Sequence, residues 1–148
     1  MKLTRSKGQA LIEMALLLPF LLLLILATFD FGRLFYMKIV MTNAAREGVS
    51  YLSHHPTDDV NCEISNPLIC YLGSENAIQL EGESSGLTVA RSEITYVIQN
   101  PGNGPTPGEW VQVEIRKTPD LIFDGFLTRI GLISGPLQLK SIARMVVQ

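Results

Sequence analysis

The sequence predicts an α+β fold: a long N-terminal transmembrane-plus-projecting helix packed on a small three-stranded antiparallel sheet. Three observations predict it. The block from Ala10 to Phe29 is apolar except for Glu13. An amphipathic helical pattern follows that block without a break. Further along, three short runs alternate apolar and polar residues, the mark of half-buried strands. A chain of 148 residues has room for one modest domain and an appendage.

The apolar block comes first. As a helix rising about 1.5 Å per residue, Ala10 to Phe29 reaches about 30 Å, the thickness of a bilayer's hydrocarbon core. Lys2, Arg5 and Lys7 precede it with no acidic residue among them. The positive-inside bias then leaves the N-terminus in the cytoplasm and sends everything after Phe29 across. A cleaved secretory signal fits less well, because the run is long and no small-x-small cleavage site follows it. Pro19 lies inside the run, where a membrane helix tolerates it with a mild kink. The expected division is a basic leader at 1–8, a transmembrane helix at 9–29, a projecting continuation at 30–55 and an extracytoplasmic α+β domain at 56–148.

The projecting part has its own face. Leu34, Met37, Met41, Ala45, Gly48 and Leu52 recur every three or four residues, while Arg33, Asn43, Glu47 and Ser50 fall mostly on other faces. Tyr36, Lys38 and Arg46 are expected near the headgroup level or just beyond it. Pro56 ends the pattern, so one helix is predicted from about Gln9 to about Ser53. A helix this long needs a packing partner, since isolated helicity is marginal in water.

The rest of the chain supplies that partner. Cys62 to Cys70 reads as a loop around Asn66-Pro67, and outside the cytoplasm the two cysteines are expected to form a disulfide. A short helix is predicted around Glu75 to Leu80, broken by "GESSG". Leu87 to Gln99 is β-like, with a slip of phase at Arg91 to Glu93 that suggests a bulge. "NPGNGPTPGE", Asn100 to Glu109, is a turn region. Val111, Val113 and Ile115 then alternate with polar residues as the second strand of a hairpin. Phe123, Phe126, Leu127 and Ile130 have helical spacing. Leu137, Leu139, Ser141, Ala143, Met145 and Val147 alternate strictly as a third strand.

Several function classes find no support. The net charge of −2, with no basic stripe beyond the first seven residues, argues against nucleic-acid binding. No nucleophile stands with a base, so an enzyme is not expected. His54 and His55 are adjacent and lack the i, i+4 spacing of a helical zinc pair. Asp58, Asp59 and Glu63 lack the glycine and spacing of a calcium loop. Gly102-Asn103-Gly104 joins two strands and opens no helix, so it is no phosphate loop. No cofactor, metal or small-molecule substrate is expected.

Glu13 remains to be explained, because a carboxylate in a membrane span is costly and usually functional. It stands five residues after Gly8, at the end of a basic leader. Gly8, Gln9, Ala10, Leu11, Ile12 and Glu13, followed by a long apolar helix, resemble a class III, type IV pilin-like signal. The stretch from Gly8 through "TNAAREGVSY", Thr42 to Tyr51, is similar to the TadE-like family, small pseudopilins of tight-adherence (Tad/Flp) pilus systems. The ending "GPLQLKSIARMVVQ" is similar too. Met14 is a departure, since processed members tend to carry an aromatic residue there.

The resemblance implies a pilin-like fold and cleavage by a prepilin peptidase after Gly8, with Gln9 as the new N-terminus. It implies that Glu13 is an assembly charge meeting that new amine or a neighbour's, and that Leu16 to Leu26 pack laterally. It also implies a bacterial inner-membrane, single-pass, non-catalytic role in assembling a Tad/Flp-type pilus or a related secretion apparatus. The implied partners are the lipid bilayer, the prepilin peptidase, and other TadE/TadG-like pseudopilins and pilus assembly proteins. The competing reading is an uncleaved, membrane-anchored binding or adhesion domain. It would meet ligands through the Asn100–Glu109 loop or the Cys62–Cys70 loop.

Overall fold

Helix α1, Arg5–His54, runs fifty residues without interruption, through Pro19. It is followed by α2 (Leu72–Ser84), a 3-10 turn (Arg91–Glu93), β1 (Ile94–Ile98), β2 (Trp110–Lys117), α3 (Asp124–Arg129) and β3 (Leu139–Val146). The computed structural model describes residues 5–56, 71–100, 105–122, 124–129, 131, 135 and 137–148. The Cys62–Cys70 loop, Asp58, Asp59, Glu63, Gly102–Gly104, Phe123 and Ile130 lie outside the described residues. The fold is α+β, and the chain forms two compact units. One comprises Met1–Leu34 and Asp120–Pro136; the other comprises Phe35–Pro119 and Leu137–Gln148.

In the second unit the three strands form an antiparallel sheet in the order β1-β2-β3. Tyr96 pairs with Val113, and Val113 with Ala143. The alternation along β2 turns Val111, Val113 and Ile115 to one face, and all three are fully buried. They join Met41, Ala45, Val49 and Leu52 of α1 in one apolar core, with Ile78 of α2 and Val89. Burying side chains of this size contributes about 1.5–3 kcal/mol each. The helical face expected from the sequence is therefore the one that packs, widened by Val40 and Ala44.

Polar contacts fix how α1 lies against β3. The Thr42 and Ser141 hydroxyls are 3.0 Å apart. Lys38 Nζ donates to the Lys140 carbonyl, and the Gln148 N–H donates to the Ser53 carbonyl at 3.2 Å. Tyr36 Oη donates to the Ser85 carbonyl at 2.7 Å. The polar ends of Tyr36 and Lys38, expected at the headgroup level, are thus engaged within this unit.

Helix α2 is longer at both ends than the sequence predicts. Its extra residues include Gly73, and Gly82 of the stretch that reads as a break. Both are points of close approach: a Cβ on Gly73 would strike the Tyr51 ring, and one on Gly82 would lie 2.6 Å from the Leu87 carbonyl oxygen. Gly48 on α1 serves the same purpose towards α2. Ser74 Oγ donates to the Gly48 carbonyl at 2.8 Å in the buried seam between these helices.

The phase slip before β1 is a 3-10 turn and not a bulge. The Glu93 carboxylate accepts the Ala90 N–H at 2.9 Å and pairs with Lys117 Nζ at 2.9 Å. That clamp ties the turn to the end of β2 and delays the start of β1. On the other face of the sheet, Arg144 stacks over the Trp110 ring, 4.1 Å from its centroid.

Glu114 also lies on that second face, yet it is only 5% exposed. Lys140 Nζ stands 2.9 Å from one carboxylate oxygen and Arg116 pairs with the other. The hydrogen bond from Lys140 holds its carboxyl below the ordinary value of 4.5, against the opposing effect of burial.

Two predictions follow from this packing. Gly48→Val places a Cβ 2.5 Å from Ile78 Cδ1 and 3.2 Å from Ser74 Oγ. Ile78 is fully buried and cannot yield, so the variant loses about 1–3 kcal/mol, read as a lower thermal midpoint of the full chain in detergent. Glu114 has a lowered folded pKa, so its contribution is complete above the ordinary carboxylate value and fades as pH falls below it. Both cations are substantially exposed, which limits that contribution to about 1 kcal/mol or less. The gap in thermal midpoint between the parent and Glu114→Gln is therefore expected to close between about pH 6 and about pH 3.

Candidate assembly site

The first unit presents the residues singled out for assembly. Gly8 and Gln9 lie within α1, so the helix starts slightly before the position expected from the sequence. Among the described residues nothing lies within 4 Å of where a Cβ on Gly8 would sit, so their packing gives no reason for a glycine at this position. Gln9 Nε2 donates to Glu13 Oε1 at 3.3 Å, one helical turn away. The carboxylate thus has a neutral donor from its own helix.

Around these residues the helix is bare. Leu11, Ile12, Met14, Leu16, Leu17 and Phe20 are all exposed. The helix is long and apolar enough to cross a membrane, and none of its most apolar eighteen-residue window is buried in the protein. A soluble core helix with these side chains would hide them, because apolar area exposed to water costs about 25 cal/mol per Å². Leu16 to Leu26, expected to pack laterally, are thus free to meet lipid or other helices.

The apolar run ends at an acid the sequence reading did not single out. Asp30 is 5% exposed, and its Oδ1 accepts the Ile122 N–H at 3.1 Å. In sequence it looks like the first charge outside the span, and only the distant Ile122 reveals its partner. The other candidates have local roles. His54 Nδ1 donates to the Ser50 carbonyl at 2.8 Å. The His55 ring stacks on Tyr51 at 4.5 Å between centroids. Among the described residues no group of three or more His, Cys, Asp or Glu could hold a metal ion.

Two comparisons with known proteins returned nothing: no curated protein and no solved structure matches the chain. The third matched a family of TadE-like proteins over residues 8–50. The match does not extend to α2 or the sheet. It opens at Gly8 and closes at Ser50, taking in the bare apolar helix, Glu13 and much of the packed face of α1; over these residues the chain is similar to the TadE-like family.

Proposed function

We propose that this chain is a minor pilin-like membrane protein, a pseudopilin, that helps to assemble a Tad/Flp-type pilus or a related secretion apparatus. The TadE-like segment and its apolar helix point to a Tad pilus component anchored in a membrane. The observation that carries the finer reading is Glu13, one turn from Gln9 on an unburied helix. Cleavage after Gly8 would turn the Gln9 backbone nitrogen into an ammonium group. Its charge would stand at the same end of the helix as Glu13, within reach of that carboxylate or of a neighbouring subunit's. The pairing offsets much of the cost of a carboxylate in low dielectric. A helix newly begun at Gln9 also favours an acid in its first turns, because its free N–H groups form the positive end of the dipole.

Gly8 suits the cut in a second way. Glycine weakens a helix by about 1 kcal/mol relative to alanine, which makes local opening of the scissile bond easier. In this reading the role is structural and non-catalytic. Leu16 to Leu26 supply lateral helix contacts, and the partners are the bilayer, a prepilin peptidase and other TadE/TadG-like proteins. The protein sits in the bacterial inner membrane with its α+β domain outside the cytoplasm.

The intact mass of the protein from membranes of its own host tests the cleavage. A chain beginning at Gln9 is expected; one retaining Met1 or Lys2 would show that Gly8 is not used. Glu13→Gln tests the charge. It is expected to insert in the membrane like the parent but to co-purify with its pilin-like partners at least about tenfold less, the equivalent of about 1.4 kcal/mol. Undiminished co-purification of a normally cut Glu13→Gln chain would remove charge pairing from the mechanism.

A further inference from the structure

The outer face of the sheet lacks a covering layer. Alternation along β3 turns Lys140, Ile142, Arg144 and Val146 away from the core. Ile142 is 49% exposed and Val146 58%. Arg116, Lys140 and Arg144 bring three cations to this face, against the single carboxylate of Glu114. Arg144 donates to the Gln112 side-chain oxygen at 2.7 Å, a neutral acceptor that leaves its charge uncompensated. The face is therefore apolar at two points and cationic between and beside them.

Helix α2 belongs to the same compact unit and has the complementary surface. It buries Ser74, Glu75, Ile78 and Gly82. Its other side shows Leu72 at 45% exposure and Leu80 at 69%, with Asn76 and Glu83 exposed beside them. The helix carries three glutamates and no lysine or arginine. Arg91 pairs with Glu75, while Glu81 and Glu83 make no ion pair among the described residues. The spacings agree as well. Leu72, Asn76, Leu80 and Glu83 stand at about 0, 6, 12 and 16 Å along a helix. Val146, Arg144, Ile142 and Lys140 stand at about 0, 7, 14 and 20 Å along a strand. Laid side by side, apolar meets apolar, amide meets guanidinium and carboxylate meets ammonium.

We infer that the outer face of the sheet in one copy of this chain receives α2 of a second copy, with Leu80 on Ile142, Leu72 on Val146 and Glu83 beside Lys140. The borrowed helix supplies the layer that an open three-stranded sheet lacks. A chain cannot serve itself in this way, because Ile78 ties its own α2 into the core on the inner face of the sheet. The contact is head-to-tail: each copy offers a helix and receives one, and such contacts repeat into a ring or a filament. One short helix on one sheet face is a small interface, so it acts between chains already held close, as on a shared membrane. It needs neither a cut at Gly8 nor the charge of Glu13.

Co-purification of two full-length copies with different tags, co-expressed and extracted in mild detergent, tests this. Leu80→Lys sets a cation against the cationic sheet face, and Val146→Glu sets a carboxylate against the acidic helix. Both sites are exposed, so neither variant is expected to lower the thermal midpoint. Each variant paired with itself is expected to co-purify at least about fivefold less than the parent pair. A mixed pair retains one intact helix and one intact sheet face, and is expected to recover at least about half of the parent value. Loss in both self-pairs without recovery in the mixed pair would mean that the two faces are not each other's partner. Undiminished self-pairs would assign self-association to other surfaces, such as Leu16 to Leu26, and a parent that does not self-associate would leave both faces to a different protein. Each of these three results overturns the inference. Leu72→Lys and Ile142→Gln replace the first two variants should either lower the midpoint.

Discussion

One helix has to satisfy two solvents, and the rest of the structure answers to that. In its first half α1 leaves every large apolar side chain from Leu11 to Leu26 bare. In its second half the same backbone hides Met41, Val49 and Leu52 completely. In a bilayer core every peptide group has to be bonded within the helix itself, which suits an uninterrupted element. In water a helix of this length gains little from its own hydrogen bonds and depends on a packed face. The change of environment is written in the side chains and needs no break in the backbone.

The sheet provides that packed face, and its other face shows how few residues suffice to finish a small domain. Three strands leave one side open, and there Glu114, Lys140 and Arg116 form a compact cluster of charges while Arg144 lies over Trp110. The charged cluster shields Glu114 at the middle strand, while Ile142 and Val146 on the same face stay exposed. Glycines do comparable work in the helical layer. Gly48, Gly73 and Gly82 each mark a place where backbone or side chain comes too close for a Cβ.

What could be read from the sequence was whatever depends on local period. The face of α1, the alternation of β2 and β3 and the turn region between β1 and β2 all have a repeat that needs no partner to recognise. Contacts between distant residues were not legible. Gly82 looked like part of a helix break because its reason lies in Leu87. Glu114 occupied a solvent position in the alternation, and its burial depends on Lys140 one strand away. The slip at Arg91 to Glu93 was visible, but the salt bridge to Lys117 that makes it a 3-10 turn was not. At the candidate site, Glu13 stood out because a carboxylate in lipid is conspicuous, and Gly8 through the resemblance to a pilin-like signal. Asp30 did not, since an acid after an apolar run is ordinary until Ile122 is found on it.

The Thr42–Ser141 contact has a kinetic consequence. Its partners are 99 residues apart in sequence, and the Lys38–Lys140 bond spans 102. Contacts of such separation form slowly, because the intervening chain has to be closed before they yield any gain. The buried face of α1 is made early in synthesis, and β3 reaches it only after some hundred further residues have emerged. Until α2 and β2 emerge and cover them, Met41, Val49 and Leu52 remain open to any other apolar surface. The order of elements along the chain thus builds in a period during which a holding chaperone, or the early capture of α1 by another helix, can decide whether this domain folds alone.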